Sequence, residues 1–178
     1  MNARATITAA AVASLFSLAA TAQTTGSEVQ RDVNQQQRIE QGLKSGSLNT
    51  REASKLEADQ SRINRMQSNA EKDGKLSPAE KARIQRAQNQ ESRDINRLES
   101  NAAKGNPNSA SSQRMQADVQ RNINQQQRIE QGLQNGSLNT REASKLEADQ
   151  SRINRMQSNA EKDGKLSPAE KARIQRAQ

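Results

Sequence analysis

The chain has 178 residues, a formal charge of +8, 27% charged residues and a single aromatic side chain, Phe16. With no His and no Cys, it cannot ligate a metal through imidazole or thiolate, close a disulfide, or use a Cys or Ser–His nucleophile. A carboxylate dyad needs a pocket lined by large apolar side chains, which this composition scarcely supplies, so the expectation is no enzyme and no small-molecule substrate.

Residues 1–22 read as a secretory leader. Arg4 gives a positive start, Ala5 to Ala20 carry no charge, and Ala20-Thr21-Ala22 offers an A-x-A cleavage site before Gln23. The run is short and rich in Ala, Ser and Thr, which argues against a membrane anchor, and no later segment is apolar enough to span a bilayer. A periplasmic or extracellular protein is expected. Gln23 to Ser27 reads as a polar, mobile lead-in.

The first module is expected over residues 28–104. Val29, Val33, Ile39 and Leu43 mark one stripe of a first helix, ended by Gly46. A second helix should run from Thr50 to about Lys72 on the seam Leu56, Ile63, Met66 and Ala70, with Asp59–Arg62 and Glu52–Lys55 as i,i+3 ion pairs. Gly74-Lys75-Leu76-Ser77-Pro78-Ala79-Glu80 is a glycine turn followed by a helix start: Ser77 is the N-cap, Pro78 opens the helix, and Glu80 can close a capping box. That third helix should reach about Lys104. Its seam, Ile84, Gln88, Glu91, Ile95, Leu98 and Ala102, has polar residues in the middle.

Residues 105–112 form the clearest linker, and residues 113–178 restart the module. Val29 to Gln88 maps onto Val119 to Gln178, and from Gly46 onward the copies are identical. Upstream, Asp32 becomes Asn122, Val33 becomes Ile123, Lys44 becomes Gln134 and Ser45 becomes Asn135. The second copy stops short of counterparts to Ile95 and Leu98. The predicted fold is all-α, with tandem antiparallel helical-hairpin modules, loosely packed, the second copy truncated.

Two patterns suggest ligands. The window Asn69 to Glu80 resembles an EF-hand calcium loop, with Asn69, Glu71, Asp73 and Ser77 at positions one, three, five and nine, Gly74 at six and Glu80 at twelve. That resemblance implies calcium held by Asn69, Glu71, Asp73, Ser77, Glu80 and the Lys75 carbonyl, and in the copy by Asn159, Glu161, Asp163, Ser167, Glu170 and the Lys165 carbonyl. Lys72 and Lys75 oppose it, and a capping box explains Glu80 without calcium, so no cofactor is the first expectation. The basic charge favours polyanions such as lipopolysaccharide or nucleic acid, with Arg62, Arg65, Arg83, Arg86, Arg93 and Arg97 as candidates. These arginines alternate with acids, and Phe16 would leave with the leader so that no aromatic remains to stack bases; a solvated helix surface is the competing reading.

Through its leader and the segments Gln-Gln-Arg-Ile-Glu and Gly-Lys-Leu-Ser-Pro-Ala-Glu, the chain resembles the small secreted Arg/Gln-rich helical proteins of Gram-negative bacteria. The resemblance implies periplasmic or extracellular placement and brings no catalytic residue. Together these patterns favour a non-catalytic interaction or stress-associated protein, with a protein partner or self-association. Weak calcium binding and salt-sensitive polyanion binding are the alternatives.

Overall fold

The computed structural model describes the backbone of residues 10–161 and 167–177, and side-chain surroundings for 25–160 and 167–177. The described chain is all-α: α1 (Ala10–Ser45), α2 (Thr50–Ala70), α3 (Pro78–Glu99), α4 (Ala110–Gln134), α5 (Thr140–Glu161) and α6 (Pro168–Ala177). None of the helices described is long and apolar enough to cross a membrane.

Helix starts follow the capping chemistry. Asn49 accepts from the Glu52 N–H at 3.0 Å while the Glu52 carboxylate accepts from the Asn49 N–H at 3.0 Å. Ser77 and Glu80 repeat this at α3, so each box satisfies two N–H groups that the helix leaves unpaired. Glu52 is thereby committed to its cap and to the Asn101 amide at 2.7 Å, rather than to the expected pair with Lys55. Asp59 does pair with Arg62.

The first helix is longer than expected. Gln23 to Ser27 lie inside α1, and Thr25 and Gly26 are buried. Helix α3 is shorter, because Asn101 turns its side chain to Glu52 and to the Ala103 N–H, a local alternative to another helical turn. Gly46 and Gly136 close α1 and α4 with φ of 75°. Gly42 serves a different need: a Cβ there would stand 2.6 Å from Leu48 Cδ1. Leu48 folds back over the helix, and its N–H donates to the Gly42 carbonyl at 2.9 Å.

Within the first module, α1 and α2 run antiparallel, as the bonds from Gln36 to Glu57 and from Gln67 to Asp32 require. Helix α3 runs parallel to α1, with Gln35 on Ser92 and Arg38 on Asn96. The most extensive packing, however, is between modules: α1 lies along α4, and α2 along α5. Val29 groups with Ile129 and Leu133, while Val33, Ile39 and Leu43 join Met115, Val119 and Ile123 in one core. The two copies thus share an interior instead of forming two beads. The linker is fastened as well, since the Gly105 N–H donates to the Gly46 carbonyl at 2.9 Å and the Gln116 amide to the Pro107 carbonyl at 3.0 Å.

A serine ladder seals α2 to α5. Ser61 Oγ donates to the Ser151 carbonyl at 2.9 Å, and Ser151 Oγ donates to the Ser61 carbonyl at 2.8 Å. Ser54 and Ser158 repeat this exchange at 3.2 and 3.1 Å, and Ser144 reaches the Ser68 carbonyl at 2.8 Å. Small side chains let the two backbones approach until each hydroxyl meets the neighbouring helix's carbonyl. Ser61 and Ser151 occupy the same place in their copies, so a local two-fold axis passes between them.

Candidate interaction surfaces

The residues of the calcium-loop pattern do not converge. Glu71 is buried in the core near Glu28 and Asp32, with the Thr25 hydroxyl beside it. Asp73 Oδ1 accepts from the Lys75 N–H at 2.9 Å within its own turn. Glu80 accepts from the Ser77 N–H at 2.9 Å and the Ser77 hydroxyl at 2.6 Å. Asn69 is exposed and borders one cleft with Glu80, whose carboxylate is held by its cap. Among the described residues no group of three or more acids is placed to hold a metal ion. In the second copy Ser167 and Glu170 repeat the cap and Asn159 is exposed. The Glu161 side chain, Asp163 and Lys165 lie outside the described residues.

The arginines divide. Arg93 donates to Gln90, Arg97 to Asp94, and Arg86 is an exposed residue of α3. By contrast, Arg62, Arg65 and Arg155 line a cleft of about 400 Å³ over the serine ladder, with Ser61, Ser158 and Asn159. Arg62 and Arg65 also border a neighbouring cleft with Glu80 and Arg83, of about 310 Å³. The close approach of α2 and α5 thus gathers cations that lie far apart in sequence.

Beneath this surface the interior is acidic and amide-rich. Asp32 accepts from Gln67 at 2.6 Å and from Gln88 at 2.7 Å. Glu57 accepts from Gln36 at 3.2 Å and from Asn122 at 3.1 Å. Burial pushes the carboxyls up: Asp32 to about 6, Glu28 and Glu57 to about 7, Glu71 to about 8 and Glu91 to about 9. Glu147 rises too, through burial and then through the charges of Glu71, Asp32 and Glu28. A carboxyl removed from water favours its neutral form, and neighbouring carboxylates reinforce that preference. Hydrogen bonds from amides oppose it at Asp32 and Glu57.

One further asymmetry stands out. Leu56 is fully buried at 0% exposure, whereas its counterpart Leu146 is 42% exposed, the only exposed large hydrophobic among the described residues. Ile95 and Leu98, which share the first module's core with Leu56, have no counterpart in the described second module. The chain matches no protein family, no curated protein and no solved structure.

Sequence reasoning missed the ladder and the buried acids. Serines at 54, 61 and 68 recur every seventh residue, a spacing that marks one helical face, but serine is read by default as solvent-facing. Glu57 and Glu71 carried no signal of burial, because it takes α1 together with the second module's helices to remove them from water.

Proposed function

We propose that the chain is a non-catalytic, secreted interaction protein of the periplasm or cell exterior. The exposure of Leu146 carries this reading. Identical sequence is sealed in the first module and open in the second, and an apolar side chain held in an otherwise polar surface gives a partner a place to anchor. The placement outside the cytoplasm rests on the leader at residues 1–22. The experiment compares the chain from Gln23 onward with its Leu146→Lys variant by size exclusion with light scattering, alone and after capture from periplasmic extract. An association that the variant loses supports the reading. Identical behaviour of the two proteins, with nothing retained by either, defeats it.

The arginine cleft over the serine ladder supports a second reading, polyanion binding. Lipopolysaccharide or DNA should then bind at low salt, weaken steeply as salt rises, and weaken further in Arg65→Glu with Arg155→Glu. Binding that ignores both salt and these substitutions would count against it.

A further inference from the structure

The cleft over the serine ladder lies beside the local two-fold axis, and its cations come in matched pairs. Arg62 and Arg65 of α2 have Arg152 and Arg155 of α5 as their counterparts. The ladder partners Ser54–Ser158, Ser61–Ser151 and Ser68–Ser144 set the two helices antiparallel. The axis therefore stands perpendicular to the helix pair and turns this face onto itself, so all four arginines belong to it. All four are exposed. Helices α1 and α4 pack beneath the pair, with Gln36 and Asn122 meeting on Glu57. Helix α3 takes the other flank of α2, where Ile95 and Leu98 share a core with Leu56, and it leaves the ladder face open. Helix α6 starts along the corresponding flank of α5, with Ile174 buried as Ile84 is.

Each guanidinium presents its N–H donors in a planar fork. Arg62 is drawn to Asp59, and Arg152 stands 3.6 Å from Asp149. Arg65 and Arg155 make no hydrogen bond or ion pair among the described residues. These two stand on opposite sides of the axis, and both line the cleft beside Asn159. No acid is among the residues that line it, and the ladder hydroxyls aim their protons at carbonyls, Ser61 at Ser151 and Ser158 at Ser54. The floor is Ala58 and serine, which leaves about 400 Å³ open, a volume that holds a small ligand. No large apolar side chain lines it to anchor a peptide helix, and no aromatic lines it to stack a base. An oxyanion needs neither. With several oxygens it can accept from two forks at once.

We propose that this cleft is a phosphate site for closely spaced phosphate groups on a slender carrier. Arg65 and Arg155 grip the groups from the two sides of the axis, and Arg62 and Arg152 meet them at either end. The inference rests on the polyanion reading and names its ligand chemistry, which is adjacent phosphates and not a nucleic acid duplex.

The test titrates inorganic tripolyphosphate into the chain from Gln23 onward by calorimetry at low salt and follows the melting temperature in parallel. Saturable binding and a rise in melting temperature are expected, since a ligand of the folded state stabilises it. Arg65→Gln with Arg155→Gln should weaken binding about tenfold or more and remove the rise. Arg93→Gln with Arg97→Gln takes the same charge from α3 and should leave both unchanged. These four positions are exposed, so both variants should fold, and circular dichroism checks this. Equal weakening by the two variants would make net charge the cause and overturn the site. Failure to saturate at millimolar tripolyphosphate, or tighter binding of duplex DNA at equal phosphate concentration, also overturns it. If tripolyphosphate fails while lipopolysaccharide or DNA binding still depends on salt and on Arg65 and Arg155, only the phosphate-cluster assignment falls. If all three ligands fail, the polyanion reading falls with it. Displacement of bound tripolyphosphate by lipopolysaccharide supports the site and assigns the groups to a lipid headgroup; saturable binding without displacement supports it with a free phosphate chain as the source.

Discussion

At the scale of single residues, the turns are held by backbone bonding. Glu80 satisfies the Ser77 N–H and hydroxyl, and Gln can make the same capping box. Glu80→Ala should therefore cost about 1 kcal/mol by thermal melting, while Glu80→Gln costs little. Calcium at millimolar concentration is expected to leave the melting temperature of all three proteins unchanged; a rise abolished by Glu80→Gln with Glu170→Gln would show the capping account to be incomplete. Gly42 is a second point of sensitivity. Gly42→Ala drives a methyl into Leu48, which lies 2.6 Å from where the Cβ would stand. A loss on the order of 2 kcal/mol is expected although Ala is the better helix former, because overpacking outweighs the ~1 kcal/mol propensity gain.

At the scale of helices, the α2–α5 contact depends on serine being small as much as on its hydroxyl. The helix carbonyls that Ser61 and Ser151 reach also serve their own helices. Removing both hydroxyls in Ser61→Ala with Ser151→Ala should thus cost only about 1–2 kcal/mol in denaturant unfolding. Ser61→Leu must push the helices apart and should cost more than that double substitution, despite its greater apolar area. A Leu variant as stable as wild type would mean that the close approach is not what orders the pair.

For the whole molecule, the buried acids govern response to pH. Their folded values, about 6 for Asp32 through about 9 for Glu91, stand above ordinary carboxylate values of 3.8 and 4.5. Between those limits the folded state holds protons that the unfolded chain has released, so stability falls as pH rises. Their contribution is fully present below the ordinary values and is lost as pH climbs through 6 to 9. The melting temperature should be highest near pH ~4 and drop on the order of 10 °C by pH ~9. Asp32 offers a specific check, because the other copy carries Asn122 at the same place, bonded to Glu57, Gln157 and Gln150. In Asp32→Asn the Gln67 amide can turn its unpartnered Oε1 toward the new donor, and the field on Glu147 falls. The variant should melt higher than wild type near pH ~8 and close to it near pH ~5. A flat difference across that range would detach the pH response from this cluster.

The sequence by itself determined the elements. Glycine turns, capping pairs and apolar stripes are local chemistry, so the helix starts at Thr50 and Pro78 and the repeat were legible without coordinates. Local signals could not decide which helices touch. Ser61, Glu57 and Gln67 are polar, and a stripe rule assigns them to solvent. The tertiary structure buries them because α2 meets α5 through small residues, and because amides from α1 and α4 hydrogen-bond the acids between the layers. The candidate sites divide in the same way. The capping role of Glu80 was visible in seven residues of sequence, but the gathering of Arg62, Arg65 and Arg155 required the pairing of the copies. The exposure of Leu146 was equally hidden: Leu56 and Leu146 have identical neighbours in sequence, but Leu56 shares a core with Ile95 and Leu98 while Leu146 stays exposed among the described residues.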